Sequence, residues 1–522
     1  MKPQNEAQSG KARQRYHQLE NARTPYLNRA RDAAELTIPS LVPRDDHTSH
    51  TEFQTPFQGL GARGVNNLAS KLLLALLPPN SPFFRLVIDD YSLKDLTEQD
   101  GMRSEVERGL NRIERAVQAE IETMAFRVDA FEALKHLLVA GNALIYTPLK
   151  GNARVFHLPR YVVKRDPEGN LLEGITKEVV APDVLPEAIR GDVKQSMTSN
   201  EKTVDLFTHF YRENDKFLWY QEAQGIRIPG TDGSAPVDKS PWMALRFTKV
   251  DGEDYGRGFV EEYLGDIASL EDLTKAIVEG SLQAARVVYL ADPNGLTDEG
   301  DFAGAENGDT ISGRVQDVAA FQLGKFADFR TTRELMNDIT TRLSMAFMLN
   351  SAIQRPGERV TAEEIRYMAG ELEDALGGVY SILSQEFQLP LVNRLMHRME
   401  RQKRLPVLPK GSVRPAVVTG MEALGRGHDL NRLSTFVREL SPFGPELLMQ
   451  TMNMRDFITR VGTSLGIDMD GLVKSEEQMA QEQQQNALRS LIDKLGPNAV
   501  NQLGGMMQNQ GMPGGEQPPQ TQ

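Results

Sequence analysis

Two long stretches of helical periodicity, separated by a short strand-forming and acidic segment, constrain this chain more than anything else in it. From Phe259 to Arg286, the residues Val260, Leu264, Ile267, Leu270, Leu273, Ile277 and Leu282 fall on one stripe at helical spacing, with only Gly265 and Gly280 to weaken the run. At 1.5 Å per residue such a helix reaches about 40 Å. A compact monomer seldom needs an isolated spine of that length, so its remaining faces are expected to pack on something outside the subunit. Leu335, Ile339, Leu343 and Phe347 then recur every fourth residue, which predicts a second amphipathic helix over Asp328 to Asn350, able to run back beside the first.

The segment between them, Val287 to Asp328, opens on the β-prone run Val287-Val288-Tyr289-Leu290 and turns at Asp292-Pro293-Asn294-Gly295. It holds eight acids (Asp292, Asp298, Glu299, Asp301, Glu306, Asp309, Asp317, Asp328) against two bases, Arg314 and Lys325. After the second helix, Ser351 to Val360 reads as a loop from its Pro356-Gly357 dipeptide. Thr361-Ala-Glu-Glu364 follows as a capping box that opens a third helix with Ile365, Met368, Leu372, Leu376, Val379 and Leu383 on one stripe. Gly377-Gly378 and Pro390 predict a bend or break within it.

This order of elements resembles the stem, clip, stem, tunnel loop and wing helix of phage portal proteins. The run Glu358-Arg-Val-Thr-Ala-Glu-Glu-Ile365, the run Glu371-Leu-Glu-Asp-Ala-Leu-Gly-Gly-Val-Tyr380 and the amino-terminal Leu60-Gly-Ala-Arg-Gly-Val-Asn-Asn-Leu-Ala-Ser-Lys-Leu72 are similar to the head-to-tail connectors of short-tailed phages, over roughly residues 10 to 470. The resemblance implies an α+β, predominantly helical fold assembled as a ring of about 12 copies around a channel. It divides the chain into a wing (1–258), a first stem helix (259–286), a clip (287–328), a second stem helix (329–350), a tunnel loop (351–360), a kinked wing helix with a returning strand (361–420), a crown (421–490) and a disordered tail (491–522).

The implied partners are other copies of the chain, double-stranded DNA passing without sequence recognition, the terminase large subunit, the major capsid protein, a scaffolding protein, tail adaptors and internal core proteins. The implied location is the portal vertex of the virion, after assembly in the host cytoplasm. Gln354, Arg355 and Arg359 are the candidate DNA-facing residues of the tunnel loop. Asp292, Asn294, Asp298, Glu299, Asp301, Glu306 and Asp309 are the candidate docking residues of the clip. For the arginines the competing reading is a surface ion pair, such as Arg359 with Glu358, worth about 0–1 kcal/mol. For the acids it is a solvated loop.

Composition is consistent with this. The 522 residues suffice for two or three cores, or for one extended subunit completed by neighbours. The absence of cysteine excludes disulfide frameworks, thiol catalysis and cysteine-based zinc sites. The longest apolar run, Leu72 to Leu77, ends at Pro78-Pro79, far short of the roughly 18–20 residues that span a bilayer, and the first residues do not form a signal peptide, so no membrane partner is expected. A net charge of −13 opposes tight duplex binding, which suits a passage where phosphate contacts would act as a brake; an acidic surface that merely aids solubility is the plainer reading.

Upstream, helices are expected over Ala12 to Leu36 (interrupted at Pro25), Gly59 to Leu77, Ser104 to Ala125 and Val128 to Gly141, with a short strand at Phe83 to Ile88. From Ala143 to Phe247 the period changes to two, in seven segments that predict a mixed sheet. Pro406 to Thr419 reads as extended chain returning to that sheet, and Met421 to Met479 as short helices. The end of the chain is rich in Gln, Gly, Met and Pro and is expected to be disordered.

Several motifs point toward enzymology and fall short. Gly59-Leu-Gly61-Ala-Arg-Gly64 satisfies the dinucleotide-binding spacing, but Glu52 to Phe57 before it is a poor buried strand, so the glycines read as a loosened helix start. His47 and His50 lack further ligand candidates, and His136, His157 and His209 stand singly in periodic segments as structural histidines. No phosphate-binding lysine loop or nucleophile elbow is present, so no catalytic residue, cofactor or metal is expected. The alternatives are a tail adaptor or other ring protein of the virion, which would be expected to lack the helix pair, and a soluble oxidoreductase, which would form a small closed oligomer.

Overall fold

The computed structural model describes residues 11–45, 47–48, 50–79, 83–88, 102–197, 202–285, 288–321, 326–349, 370, 372, 376–406, 413–417, 435–440, 457–458 and 461–462. The chain divides into two compact units, Met1–Leu424 and Gly425–Gln522. In the second, residues 435–440 are helical. The elements below belong to the first.

Its helices are α1 (Lys11–Glu35), α2 (Leu60–Leu76), α3 (Met102–Thr123), α4 (Phe126–Ala140), α5 (Glu187–Ser196), α6 (Phe259–Glu262), α7 (Leu264–Ala284), α8 (Glu299–Gly304), α9 (Phe326–Ala346), α10 (Gly378–Leu383) and α11 (Leu389–Arg401). The strands are β1 (Phe84–Ile88), β2 (Asn142–Tyr146), β3 (Arg154–Phe156), β4 (Tyr161–Arg165), β5 (Leu171–Val180), β6 (Val204–Glu213), β7 (Lys216–Ala223), β8 (Ile226–Arg227), β9 (Gly233–Pro236), β10 (Trp242–Arg246), β11 (Val288–Ala291), β12 (Val318–Phe321) and β13 (Val413–Val417).

The expected mixed sheet is instead two antiparallel ones. One has the order β10-β2-β3, and the other runs β4-β5-β6-β7-β8 with β9 also on β7. Tight turns dictate this, because a parallel pair needs a crossover of a dozen or more residues. The β6–β7 turn places Asn214 at φ +53°, and the β7–β8 turn places Gln224 and Gly225 at +48° and +77°, a two-residue hairpin turn. Pro406 to Thr419 does return as a strand, but to β1 rather than to the large sheet, with Leu86 opposite Pro415. A proline cannot donate to a ladder and belongs at an edge, which a two-stranded ribbon supplies.

Helix α1 continues through Pro25, where an interruption was expected. Tertiary contacts outweigh the proline's cost. Arg23, buried two residues earlier, donates to Tyr16 Oη at 3.0 Å and to the carbonyls of Leu158, Pro159 and Tyr161 at 3.2, 2.9 and 3.0 Å. Ala12, Tyr16 and Leu19 seat the helix on Val162, Ile175 and Phe207 of the six-stranded sheet.

The main core gathers α2, α4, the three-stranded sheet, the inner ends of α7 and α9, and α11. Val65, Leu68, Leu72 and Leu76 of α2 have no exposed surface, each large side chain contributing about 2 kcal/mol. The break expected near Gly377 and Pro390 takes a specific form. Gly377 adopts φ +48° before α10, and a π turn over Ser384–Gln388 then joins α10 to α11, with Pro390 in the first turn of α11 where its missing N–H costs nothing. Glu386 in the π turn accepts from the Arg246 backbone N–H and from Arg246 Nε, both at 3.0 Å, which ties the turn to β10.

Candidate functional site: the helix pair and its acidic insert

Helices α7 and α9 run antiparallel. Near one end Arg342 pairs with Asp266 at 3.0 Å, and near the other a Cβ placed on Gly280 would lie 3.0 Å from the Phe329 ring, so residue numbers rise along one helix as they fall along the other. The expected single helix from Phe259 is divided at Tyr263 (φ −110°, ψ 11°) into α6 and α7. Burial is steeply graded along the pair. Val260, Ile267, Leu270, Ile339, Leu343 and Phe347 are buried in the subunit core, whereas Leu335 is 50% exposed and Leu282 65% exposed. Half of each predicted apolar stripe therefore has no partner within the subunit among the described residues.

The inner end of α9 is gripped by α2. Met348 takes the left-handed conformation (φ +54°), with Leu349 N–H on Ser344 O at 2.8 Å and Met348 N–H on Met345 O at 3.0 Å, a Schellman ending. The freed carbonyls are met by side chains of α2. Asn67 Nδ2 donates to Phe347 O and Met348 O at 3.0 and 3.1 Å, and the buried Lys71 ammonium donates to Met348 O at 3.0 Å, a cation at the negative end of the helix dipole.

Gly64 lies on the same face, and a Cβ there would meet Phe347 Cγ at 2.6 Å; one on Gly61 would meet Leu36 O at 2.7 Å. The dinucleotide-like glycines are thus consumed by close helix packing. Spacings of three and four along Gly64, Asn67 and Lys71 put a small residue, an amide and an ammonium on one stripe of an apolar helix. That stripe could have been read from the sequence and was missed.

The insert pairs β11 with β12 antiparallel, Val288 opposite Phe321 and Ala291 opposite Val318. Tyr289 meets Phe302 of α8 edge-on at 5.0 Å. The acids of this segment divide by role. Asp317 accepts Leu296 N–H at 2.8 Å, Thr297 N–H at 3.2 Å and Thr297 Oγ1 at 3.1 Å; desolvation works against its charge, yet these bonds outweigh it and hold the carboxyl below its ordinary pKa.

Asp298 caps α8 by accepting Gly300 N–H and Asp301 N–H at 2.8 and 3.1 Å. Asp292 accepts Asn294 N–H at 2.9 Å, and Asp309 accepts Glu306 N–H at 2.8 Å. Four of the eight acids therefore fold the insert. Glu299, Asp301 and Glu306 stand exposed beside them, as does the Asn294 side chain. Gln354, Arg355 and Arg359 lie outside the described residues.

Among the described residues no group of three His, Cys, Asp or Glu side chains could hold a metal ion, and no helix is long and apolar enough to cross a membrane. The histidines have structural surroundings: His209 bridges Glu173 Oε1 (2.8 Å) and Tyr220 Oη (3.1 Å), and His136 stacks on His157 at 5.9 Å.

Residues 9–473 match the family described as bacteriophage head to tail connecting protein. The chain belongs to that family. The connector is 43% identical over 488 residues to the portal protein of Escherichia phage T7, covering 92% of this chain and 91% of that one. It is 42% identical over 491 residues to the portal protein of Enterobacteria phage T3, with the same coverage, and 31% identical over 504 residues to that of Enterobacteria phage SP6, covering 95% and 96%. Among solved structures, a chain from the neck of an empty gene transfer agent particle aligns over 72% of the connector and 86% of its own length at 12% identity, with a TM-score of 0.35, too distant to bear on the fold. Connectors of this family are structural portal proteins, not enzymes, and the glycine and histidine motifs weighed above belong to this connector's packing.

Proposed function

We propose that the connector assembles as a ring of about twelve copies at one capsid vertex, with α7 and α9 lining the passage for DNA entering during packaging and leaving during ejection. The observation that carries this reading is the graded burial of the helix pair: their inner ends belong to the subunit core, and their outer ends present Val278, Leu282, Leu335 and Met345 to solvent in a single copy. Apolar surface left on a paired helix is covered by association, and side-by-side copies cover it by a head-to-tail contact that closes on itself. In this scheme α7 and α9 are the stem, the β11–β12 insert is the clip, residues 351–360 are the tunnel loop, the amino-terminal helices and sheets are the wing, and residues 421–490 are the crown.

The clip docks the terminase large subunit during filling and tail adaptors afterwards, its exposed Glu299, Asp301 and Glu306 meeting basic partner surfaces. The wing meets the major capsid protein and the scaffolding protein, and internal core proteins stand on the crown. The net charge of −13 per copy keeps duplex DNA weakly held, with Gln354, Arg355 and Arg359 supplying exchangeable contacts. Subunits made in the host cytoplasm end at the portal vertex of the virion. Cryo-EM images of the purified protein test the scheme: rings of about a dozen copies with an open channel are expected, and a population of monomers or closed dimers at every concentration overturns it.

A further inference from the structure

The connector contains two tryptophans, and both line one cavity of about 230 Å³ where the three-stranded and six-stranded sheets meet. Trp242 stands on β10 and Trp219 on β7. Trp242 has Phe210 stacked on it at 4.4 Å and 6°, and Tyr146 against it at 4.3 Å. With its faces taken, the indole offers the cavity its edge. Its Nε1–H is buried and has no partner among the described residues. A buried N–H without an acceptor costs about 1–3 kcal/mol, so a group that supplies one is favoured there. Trp219 lies flat on the backbone at Gly233, where a Cβ would come within 2.2 Å of the ring.

The polar lining is already neutralised in part. Arg154 and Glu178 pair across the two sheets, with Arg154 also over the Phe156 ring at 5.0 Å, so the site carries no net charge from them. Gln221 spends its amide N–H on Thr208 Oγ1 at 3.2 Å and keeps its carbonyl oxygen as an acceptor. What remains is one donor, one acceptor and aromatic walls. The volume exceeds the roughly 150 Å³ that holds a benzene ring and is below the roughly 300 Å³ at which pockets begin to take larger ligands.

We propose that this cavity binds a single neutral aromatic ring bearing a hydroxyl group, a phenol whose oxygen accepts from Trp242 Nε1–H and whose proton goes to Gln221. One group then meets both unspent partners. The same chemistry is supplied by a free phenolic molecule or by a tyrosine side chain of a neighbouring polypeptide.

The two tryptophans make the test direct. Full-length protein is titrated with p-cresol, and with toluene as the same shape without the hydroxyl, while tryptophan emission is followed under excitation that phenols do not absorb. Saturable change is expected, with p-cresol binding about tenfold more tightly than toluene. In Trp242→Phe, Trp219 still reports, and the preference should vanish. Saturation in the assembled protein assigns a free ligand; saturation in dissociated subunits alone assigns a side chain that fills the site on assembly. The absence of saturation in both forms overturns the proposal, as does equal binding of the two probes to the wild-type protein.

Discussion

The buried carboxylate of Glu222, on β7, accepts the backbone N–H of Ala12 at 3.1 Å and thereby closes the amino end of a helix 210 residues earlier in the chain. Its second oxygen accepts Arg13 N–H at 3.2 Å. A negative charge here meets both unsatisfied donors and the positive end of the helix dipole. Glu222→Ala should lower stability by about 2 kcal/mol and expose α1 to proteolysis before the rest of the wing, whereas Glu222→Gln, which keeps an acceptor, should cost less. Equal melting temperatures and equal cleavage for all three proteins would remove Glu222 from this role.

Acid should weaken the six-stranded region in two windows. Burial, with His136 and Arg160 adding to it, pushes the His157 pKa from 6.5 down to about 4, so between those values the unfolded chain binds a proton that the folded chain does not, and stability falls as pH falls. Glu173 is opposed by desolvation but held down to about 2 by His209 and Arg15; its contribution is complete above the ordinary value of 4.5 and is lost toward pH 2. Denaturant titrations at stepped pH should show both slopes. His157→Phe should flatten the upper one and Glu173→Gln the lower, each leaving the other in place.

The α2 grip on α9 predicts an unusually costly alanine. Gly64→Ala drives a methyl into the Phe347 ring and should destabilise by about 1–3 kcal/mol, although alanine is the better helix former. Lys71→Met keeps the stem length and removes the ammonium from Met348 O, so it should loosen the end of α9 without emptying the core. Hydrogen exchange at residues 343–349 is the readout, and unchanged protection in both variants contradicts the arrangement.

Within the insert, folding and docking should separate. Asp317→Ala removes the acceptor for Leu296 and Thr297 and should unfold the insert locally, while Glu299→Lys with Glu306→Lys should leave it folded and weaken binding to the packaging motor. Circular dichroism of the rings and a pull-down of terminase measure the two effects. Loss of fold from the lysine pair, or undiminished docking with it, argues against the division.

The tunnel-loop assignment is tested in particles. Replacing Arg355 and Arg359 together by alanine should preserve rings and reduce packaged or retained DNA. A double mutant with full DNA content and normal infectivity would end the assignment.

Much of this was legible before the fold was known, because strong periodicity survives in any context. Ile339, Leu343 and Phe347 are buried on the predicted stripe, and the alternating segments after Ala143 became strands. What could not be read depends on contacts distant in sequence. Nothing near Pro25 announces that Arg23 will be bonded to carbonyls about 135 residues on, and nothing local distinguishes Asp317, which folds the insert, from Glu306, which does not. The paired sheets were read as one because period two reports a strand and not its partner. The fate of Leu282 and Leu335 was half legible: the stripe was visible, and the point at which the subunit stops covering it was not.

The π turn at Ser384–Gln388 has a further consequence for how this chain can change length. It holds one surplus residue inside an otherwise continuous rod, so deleting any single position there would regularise the coil and swing everything after it by about 100°. Arg394 and Arg398, which now reach Thr147 O at 2.8 Å and Gly151 O at 2.7 Å, would be carried away from those oxygens together with the apolar stripe of α11. The spare residue is therefore the keyway that indexes the rod against the sheet, and drift by insertion or deletion has to happen elsewhere.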